Sequence, residues 1–231
     1  MYSLPVNTFK QALRAQQRQL GLWINFPYAP ITECLTGSGF DWMLFDMEHT
    51  PNDLEHVGQQ LLALRGTPVQ PVVRVPVHDM AWIKRVLDAG APNVMIPNIR
   101  TAAEAAEAVS WTRFAPEGQR GVAGSIRAGG WTRFKDYMAR ANDEIGVIVQ
   151  IESREALDNL DAICRVPGID AVAEIAKAIA TARAAGCAIG ILAADGKAEH
   201  YLEAGATMVG IGTDLHLLVA AADALVARFR S

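Results

Sequence analysis

Cysteine is scarce in this 231-residue chain: Cys34, Cys164 and Cys187 lie far apart and in no CxxC pattern. That argues against a disulfide framework and a zinc–thiolate site, and fits a reducing compartment. Surplus basic charge is absent too, with 21 Lys+Arg against 25 Asp+Glu, a net charge of −4 and a pI near 5.7. Nucleic acid and anionic membrane both need a basic face, so neither is expected as a partner. No apolar run reaches membrane-spanning length, and the polar start of the chain, with Lys10, Arg14 and Arg18, has no signal-peptide core. A soluble, cytoplasmic protein is expected. Two further absences bear on chemistry. Asn25-Phe26-Pro27-Tyr28 follows the first apolar strand where a doubly wound nucleotide-binding sheet carries glycines. Lys10, Lys84, Lys135, Lys177 and Lys197 all fall on expected helices or loops, so no Schiff-base lysine is expected inside a strand.

Apolar residues, at 51%, are ample for one large core. After a short helix over Thr8 to Gln17, strand-like runs recur at Gly21–Phe26, Trp42–Met47, Pro71–Val75, Val94–Ile99, Gly146–Ile151, Ile189–Ala193 and Met208–Ile211. They are continuously apolar rather than alternating, as parallel strands covered on both faces are. Helical spacing over Leu54–Leu64 and Met80–Leu87, and an alanine-rich run over Ala102–Trp111, fill the intervals. Seven units repeat without a change of pattern, which predicts a TIM (β/α)8 barrel with an N-terminal extra helix, a single domain over residues 1–231. The missing strand belongs near Gly168–Val172. There Ile169–Val172 runs straight into the helix former Ala173-Glu174-Ile175-Ala176-Lys177-Ala178, with no turn or cap between them. A βα connection normally takes two to six residues. Either strand six is truncated or a segment is absent between Val172 and Ala173; the second reading is preferred.

A barrel places its chemistry where the strands' C-terminal ends meet. Those ends carry Asp46, Glu48 and His49, then Arg74, Pro97-Asn98, Gln150-Ile151-Glu152 and Thr213-Asp214. Thr50 or Asn52 can cap the helix after strand two, and Pro51 suits its first turn. Singly, each charged group has a bland reading: Glu152 as a first-turn acid, Asp214 as the N-cap of the last helix, Arg74 as an ion-pair partner. Together they suggest carbanion formation beside a carbonyl. Carboxylates can hold a hard divalent cation that chelates a 2-oxo acid. An arginine can stabilise the enolate, and a histidine, titrating near neutrality, can move the proton.

Phe45-Asp46-Met47-Glu48-His49-Thr50-Pro51-Asn52-Asp53, Gln70-Pro71-Val72-Val73-Arg74, Leu87-Asp88-Ala89-Gly90, Pro116-Glu117-Gly118-Gln119-Arg120-Gly121 and Val149-Gln150-Ile151-Glu152 resemble the metal-dependent class II pyruvate aldolases. These include the 4-hydroxy-2-oxoheptanedioate and 2-keto-3-deoxy-sugar-acid types. The resemblance runs from about Leu20 to Phe229. It implies reversible cleavage of 4-hydroxy-2-oxo acids to pyruvate or hydroxypyruvate and an aldehyde. His49 would be the base, Asp88 would raise its basicity from across a subunit boundary, and Arg74 would stabilise the transition state. Gln150 would bind substrate and Glu152 would ligate Mg²⁺ or Mn²⁺, with Co²⁺ or Zn²⁺ as alternatives. Asp46 and Glu48 would support. The family's Gly-Pro-Ala-Asp segment, with its second metal carboxylate, is expected between Val172 and Ala173 and is missing there. The alternatives are an oxaloacetate decarboxylase or acyl lyase using the same enolate, or a barrel that binds 2-oxo acids without turnover.

Two expectations concern the periphery. The last helix, Leu215 to Phe229, carries Leu218, Ala221, Leu225 and Phe229 on one stripe and is apolar more widely, which suggests cover by a second subunit. The resemblance implies its exchange between subunits of a homo-hexamer built as a trimer of dimers. Arg127, in the glycine-containing stretch Ser125 to Trp131, is available for an anionic substrate tail, though a solvated arginine is the plainer reading.

Overall fold

The computed structural model describes residues 3–173, 178–193 and 196–230. Its core is a closed barrel of eight parallel strands in sequence order: β1 (Gln19–Ile24), β2 (Trp42–Asp46), β3 (Gln70–Arg74), β4 (Asn93–Ile96), β5 (Gly146–Gln150), β6 (Ala171–Ala173), β7 (Ala188–Leu192) and β8 (Met208–Thr213). Around them lie α2 (Ala29–Leu35), α3 (Leu54–Ala63), α4 (Met80–Asp88), α5 (Ala102–Thr112), α6 (Tyr137–Glu144), α7 (Arg154–Asp158), α8 (Leu160–Cys164), α9 (Ile179–Ala184) and α10 (Ala198–Ala204). An N-terminal helix, α1 (Thr8–Arg14), and a last helix, α11 (Asp214–Arg230), complete the chain.

Two apolar layers explain the continuous strand runs. Residues such as Val73, Val94, Val147 and Ile189 face the helices, while Trp42, Leu44, Val72, Met95 and Ile148 fill the barrel. Phe9 and Leu13 of α1 join the inner layer and so close the barrel's N-terminal end. Gly21 is required by that filling, because a Cβ there would fall inside the Trp42 indole. The eighth strand lies where it was sought, but Ala173 belongs to β6, pairing with Gln150 and Gly190, rather than to a helix. Strand pairing overrides the alanine's helical propensity there. At three residues β6 is the shortest strand of the barrel. The rest of the expected helical run, residues 174–177 including Lys177, lies outside the described residues, and α9 begins at Ile179.

Two further expectations are corrected. Neither Thr50 nor Asn52 caps α3, and Pro51 lies before it; Asp53 is the N-cap, in a capping box with His56. The chain leaves β2 through a longer loop because Asp46 and Thr50 tie it down first, Thr50 Oγ1 donating to the Asp46 carbonyl. The helix for which Glu152 would be a first-turn acid, expected over Ser153 to Ile163, is split: Ser153 caps α7, and Asn159 breaks the run before α8.

Beneath the barrel, Lys10 is buried, donating to the Ile145 carbonyl at 2.6 Å and lying 3.6 Å from Asp170, which Arg14 and the Val147 amide also reach. Burial lowers the Lys10 ammonium to about 8, with the Asp170 charge opposing that shift. The unfolded chain therefore holds this proton up to a higher pH than the folded one. Stability should rise as pH goes from about 8 towards 10.5, by on the order of 2–3 kcal/mol. Urea midpoints at pH 7.5 and 9.5 should show that rise in the wild type and lose it in Lys10→Met.

Candidate active site

At the C-terminal ends of the strands the barrel mouth holds a cavity of about 470 Å³, lined by Trp23, His49, Arg74, Gln150 and Glu152 among others. Its centre is an ion-pair cluster built by adjacent strands. The β2–β3 register sets Asp46 beside Arg74. Arg74 Nε donates to Asp46 Oδ1 at 2.9 Å and Nη2 to Oδ2 at 2.6 Å, a two-pronged pairing that fixes the guanidinium plane. Nη1 is left facing Gln150 Oε1 at 3.3 Å and Glu48 Oε2 at 3.0 Å. The Trp23 ring centroid lies 5.6 Å from the guanidinium carbon, within cation–π range.

Asp46 does more than hold Arg74. Its Oδ1 also accepts the Glu48 and His49 backbone amides, at 2.9 and 3.3 Å, so one buried carboxylate shapes the whole loop. Burial pushes the Glu48 carboxyl up from its ordinary value, with Arg74 opposing. His49 projects outward, its side chain 70% exposed, with Nε2 3.7 Å from Glu48 Oε2. Glu152 accepts the Asn98 backbone amide at 3.1 Å and the Gln150 side-chain amide at 3.3 Å. Asn98 takes φ +56, a left-handed conformation that asparagine tolerates.

Asp46, Glu48, His49, Arg74, Gln150 and Glu152 thus meet at one end of the barrel. Asp88 does not. It ends α4, which leads to the start of β4, so it lies at the opposite end and pairs with Arg120 at 2.7 Å. Any contact with His49 has to come from a second copy of the chain. Sequence reasoning did not pick out Trp23, although it stands one residue before the end of a barrel strand. Asp214 also differs from its plain capping role. Buried, it opens α11 and accepts the Asn25 and Phe26 amides at 2.8 and 3.0 Å, which pins the loop after β1.

Of Asp46, Glu48 and Glu152, Glu152 alone has no arginine on it among the described residues. Magnesium binds through one or two protein carboxylates, with waters and substrate oxygens completing its shell. Glu152 fits that role as a single protein ligand. Among the described residues, no group of three or more His, Cys, Asp or Glu side chains is placed to hold an ion.

Comparison with known proteins agrees with the fold and narrows the chemistry. The family model described as HpcH/HpaI aldolase/citrate lyase matches residues 19–176. A 4-hydroxy-2-oxo-heptane-1,7-dioate aldolase of Shigella sonnei is 44% identical, covering 96% of this chain and 95% of its own. Their alignment spans 248 positions, whereas 96% of 231 residues is about 222, so about 26 of the relative's positions have no counterpart here. A crystal structure of an HpcH/HpaI aldolase/citrate lyase family protein from Burkholderia cenocepacia superposes with a TM-score of 0.95 at 35% identity, covering 98% of this chain and 100% of that one. An HpcH/HpaI aldolase from Desulfitobacterium hafniense gives 0.86 at 26% identity, covering 96% of both chains.

Proposed function

The chain belongs to the HpcH/HpaI aldolase/citrate lyase family, and on that premise we propose that it reversibly cleaves 4-hydroxy-2-oxo acids into pyruvate, or hydroxypyruvate, and an aldehyde. The observation that carries this reading is Arg74: Asp46 accepts from Nε and Nη2 along one edge of its guanidinium, and Nη1 faces the cavity beside Gln150. A cation so held suits the oxygen that becomes negative when the carbon–carbon bond breaks.

In cleavage, a base removes the proton of the C4 hydroxyl and the C3–C4 electron pair moves to form the pyruvate enolate. The aldehyde leaves, and C3 is then reprotonated. Arg74 stabilises the enolate oxygen, Gln150 orients the 2-oxo acid, and His49 moves the proton. Asp88 of a second copy would support His49. Glu152 would hold a divalent cation, Mg²⁺ or Mn²⁺ or in their place Co²⁺ or Zn²⁺, which when bound polarises the keto group as a Lewis acid. Asp46 and Glu48 maintain the loop and the guanidinium. The assembly proposed is a homo-hexamer, a trimer of dimers, with α11 exchanged between subunits, and the compartment is the cytoplasm. Among the described residues no helix is long and apolar enough to cross a membrane.

Purified protein given pyruvate, a panel of aldehydes and Mg²⁺ or Mn²⁺ should form aldol product. A chelator should lower the rate roughly tenfold or more, and Glu152→Gln should raise the metal concentration needed for half-maximal rate. Saturable binding of pyruvate with no product from any aldehyde would overturn the aldolase reading in favour of a binding protein.

A further inference from the structure

The larger cavity, of about 600 Å³, lies at the end of the barrel away from the mouth, between the N-terminal segment, the start of β5 and the long connection between α5 and α6. Its lining includes Arg65, Arg120, Arg127 and Arg133, with Glu144 as the acid among them. Glu144 is already used: its oxygens accept Arg140 Nη2 at 2.8 Å and the Asn7 amide at 2.6 Å. Arg120 has a fully buried side chain. Its Nη2 reaches Asp88 and the Tyr137 hydroxyl, its guanidinium carbon lies 4.4 Å from the Phe114 ring centroid, and Nε and Nη1 find no hydrogen-bond partner.

The other three arginines form no ion pair among the described residues. Arg127 packs its Cγ close to Gly90 and spends Nη1 on the Ala89 carbonyl at 2.9 Å, leaving the rest of its fork without a carboxylate. Burial, and then the nearby Arg65 charge, lower its affinity for its proton. Concentrating like charge in a partly dry cavity costs free energy unless a counter-charge is taken up there. At the rim stands Trp131, 58% exposed and held at φ +56 between Gly130 and Thr132, which are left-handed as well. Strained, non-glycine backbone of this kind persists where the surroundings dictate it, and it gathers at ligand clamps.

We propose that this cavity binds a small dianion, an oxyanion held by the Arg65 and Arg127 guanidiniums with Trp131 against its flank. The volume is that of a small-molecule site. Planar guanidinium forks match the paired oxygens of a carboxylate or a phosphate. Two sources supply that chemistry, a short dicarboxylate or inorganic phosphate, and titration separates them.

The test is calorimetric titration of the intact protein with phosphate and, separately, with succinate. Since binding alone is read, the outcome does not depend on the aldolase assignment. At least one probe should bind saturably, and the tighter of the two identifies the source. Arg127→Gln and Arg65→Gln should each weaken that binding about tenfold, with circular dichroism confirming the fold. Arg154→Gln, removing an exposed arginine that pairs with Asp158 on α7, should leave it unchanged. No saturable heat with either probe, wild-type affinity in both cavity variants, or an equal loss in Arg154→Gln would each overturn the proposal.

Discussion

Arg74→Ala is expected to lower kcat/KM for aldol cleavage by roughly 10³ or more, the scale at which a transition-state charge donor acts. The loss should reach kcat as well as KM, because the enolate charge appears only as the bond breaks. The same substitution strips Asp46 of its two-pronged partner and Glu48 of its nearest cation. Breaking a buried pair in this way costs about 3–5 kcal/mol, so a thermal melt must accompany the kinetics. Arg74→Lys separates the two effects. Lysine keeps a charge but cannot serve both Asp46 oxygens and Gln150 together, so that variant should stay folded while activity remains down by roughly 10². Full activity in a folded Arg74→Ala protein would remove Arg74 from the mechanism.

The second large effect is expected at α11. Apart from Asp214 none of its described residues is buried, and Leu215, Leu217, Leu218, Val219, Leu225, Val226 and Phe229 are all exposed. The apolar stripe is therefore left open within this chain: Leu218, Leu225 and Phe229 are 58%, 55% and 77% exposed. An apolar surface of that extent marks an association face. Leu218→Asp with Leu225→Asp should convert the assembly to smaller species by sedimentation. It should also abolish most activity, because the proposed mechanism has Asp88 support the His49 of a neighbouring subunit. Unchanged sedimentation would mean that α11 is not an interface.

The barrel itself was legible because burial on both faces leaves a one-dimensional mark, the continuous apolar run. Strand six was half legible: Ile169 to Val172 carried the mark, but Ala173 reads as helix on propensity alone, and only pairing with Gln150 and Gly190 makes it a strand. The mouth residues were found by reading strand ends, and the structure brings six of them together. How they divide the work was not visible. Asp46 meets Arg74 across 28 positions of sequence, and Asp214 meets Asn25 across 189, so neither pairing leaves any local spacing to read. Asp88 shows the converse: a motif match named the residue, but only its place at the end of α4 shows which end of the barrel it occupies.

The hub at Asp46 has a consequence for how this chain can change over time. Arg74, the Glu48 amide and the His49 amide all rest on that one carboxylate. Replacing Arg74 by an uncharged residue leaves Asp46 a buried, unmatched charge, and replacing Asp46 by one leaves Arg74 with Glu48 alone, so either change calls for a second that restores the balance. Aldehyde preference can drift one residue at a time in the loops around the mouth, while the aspartate–arginine pair is inherited as a single character.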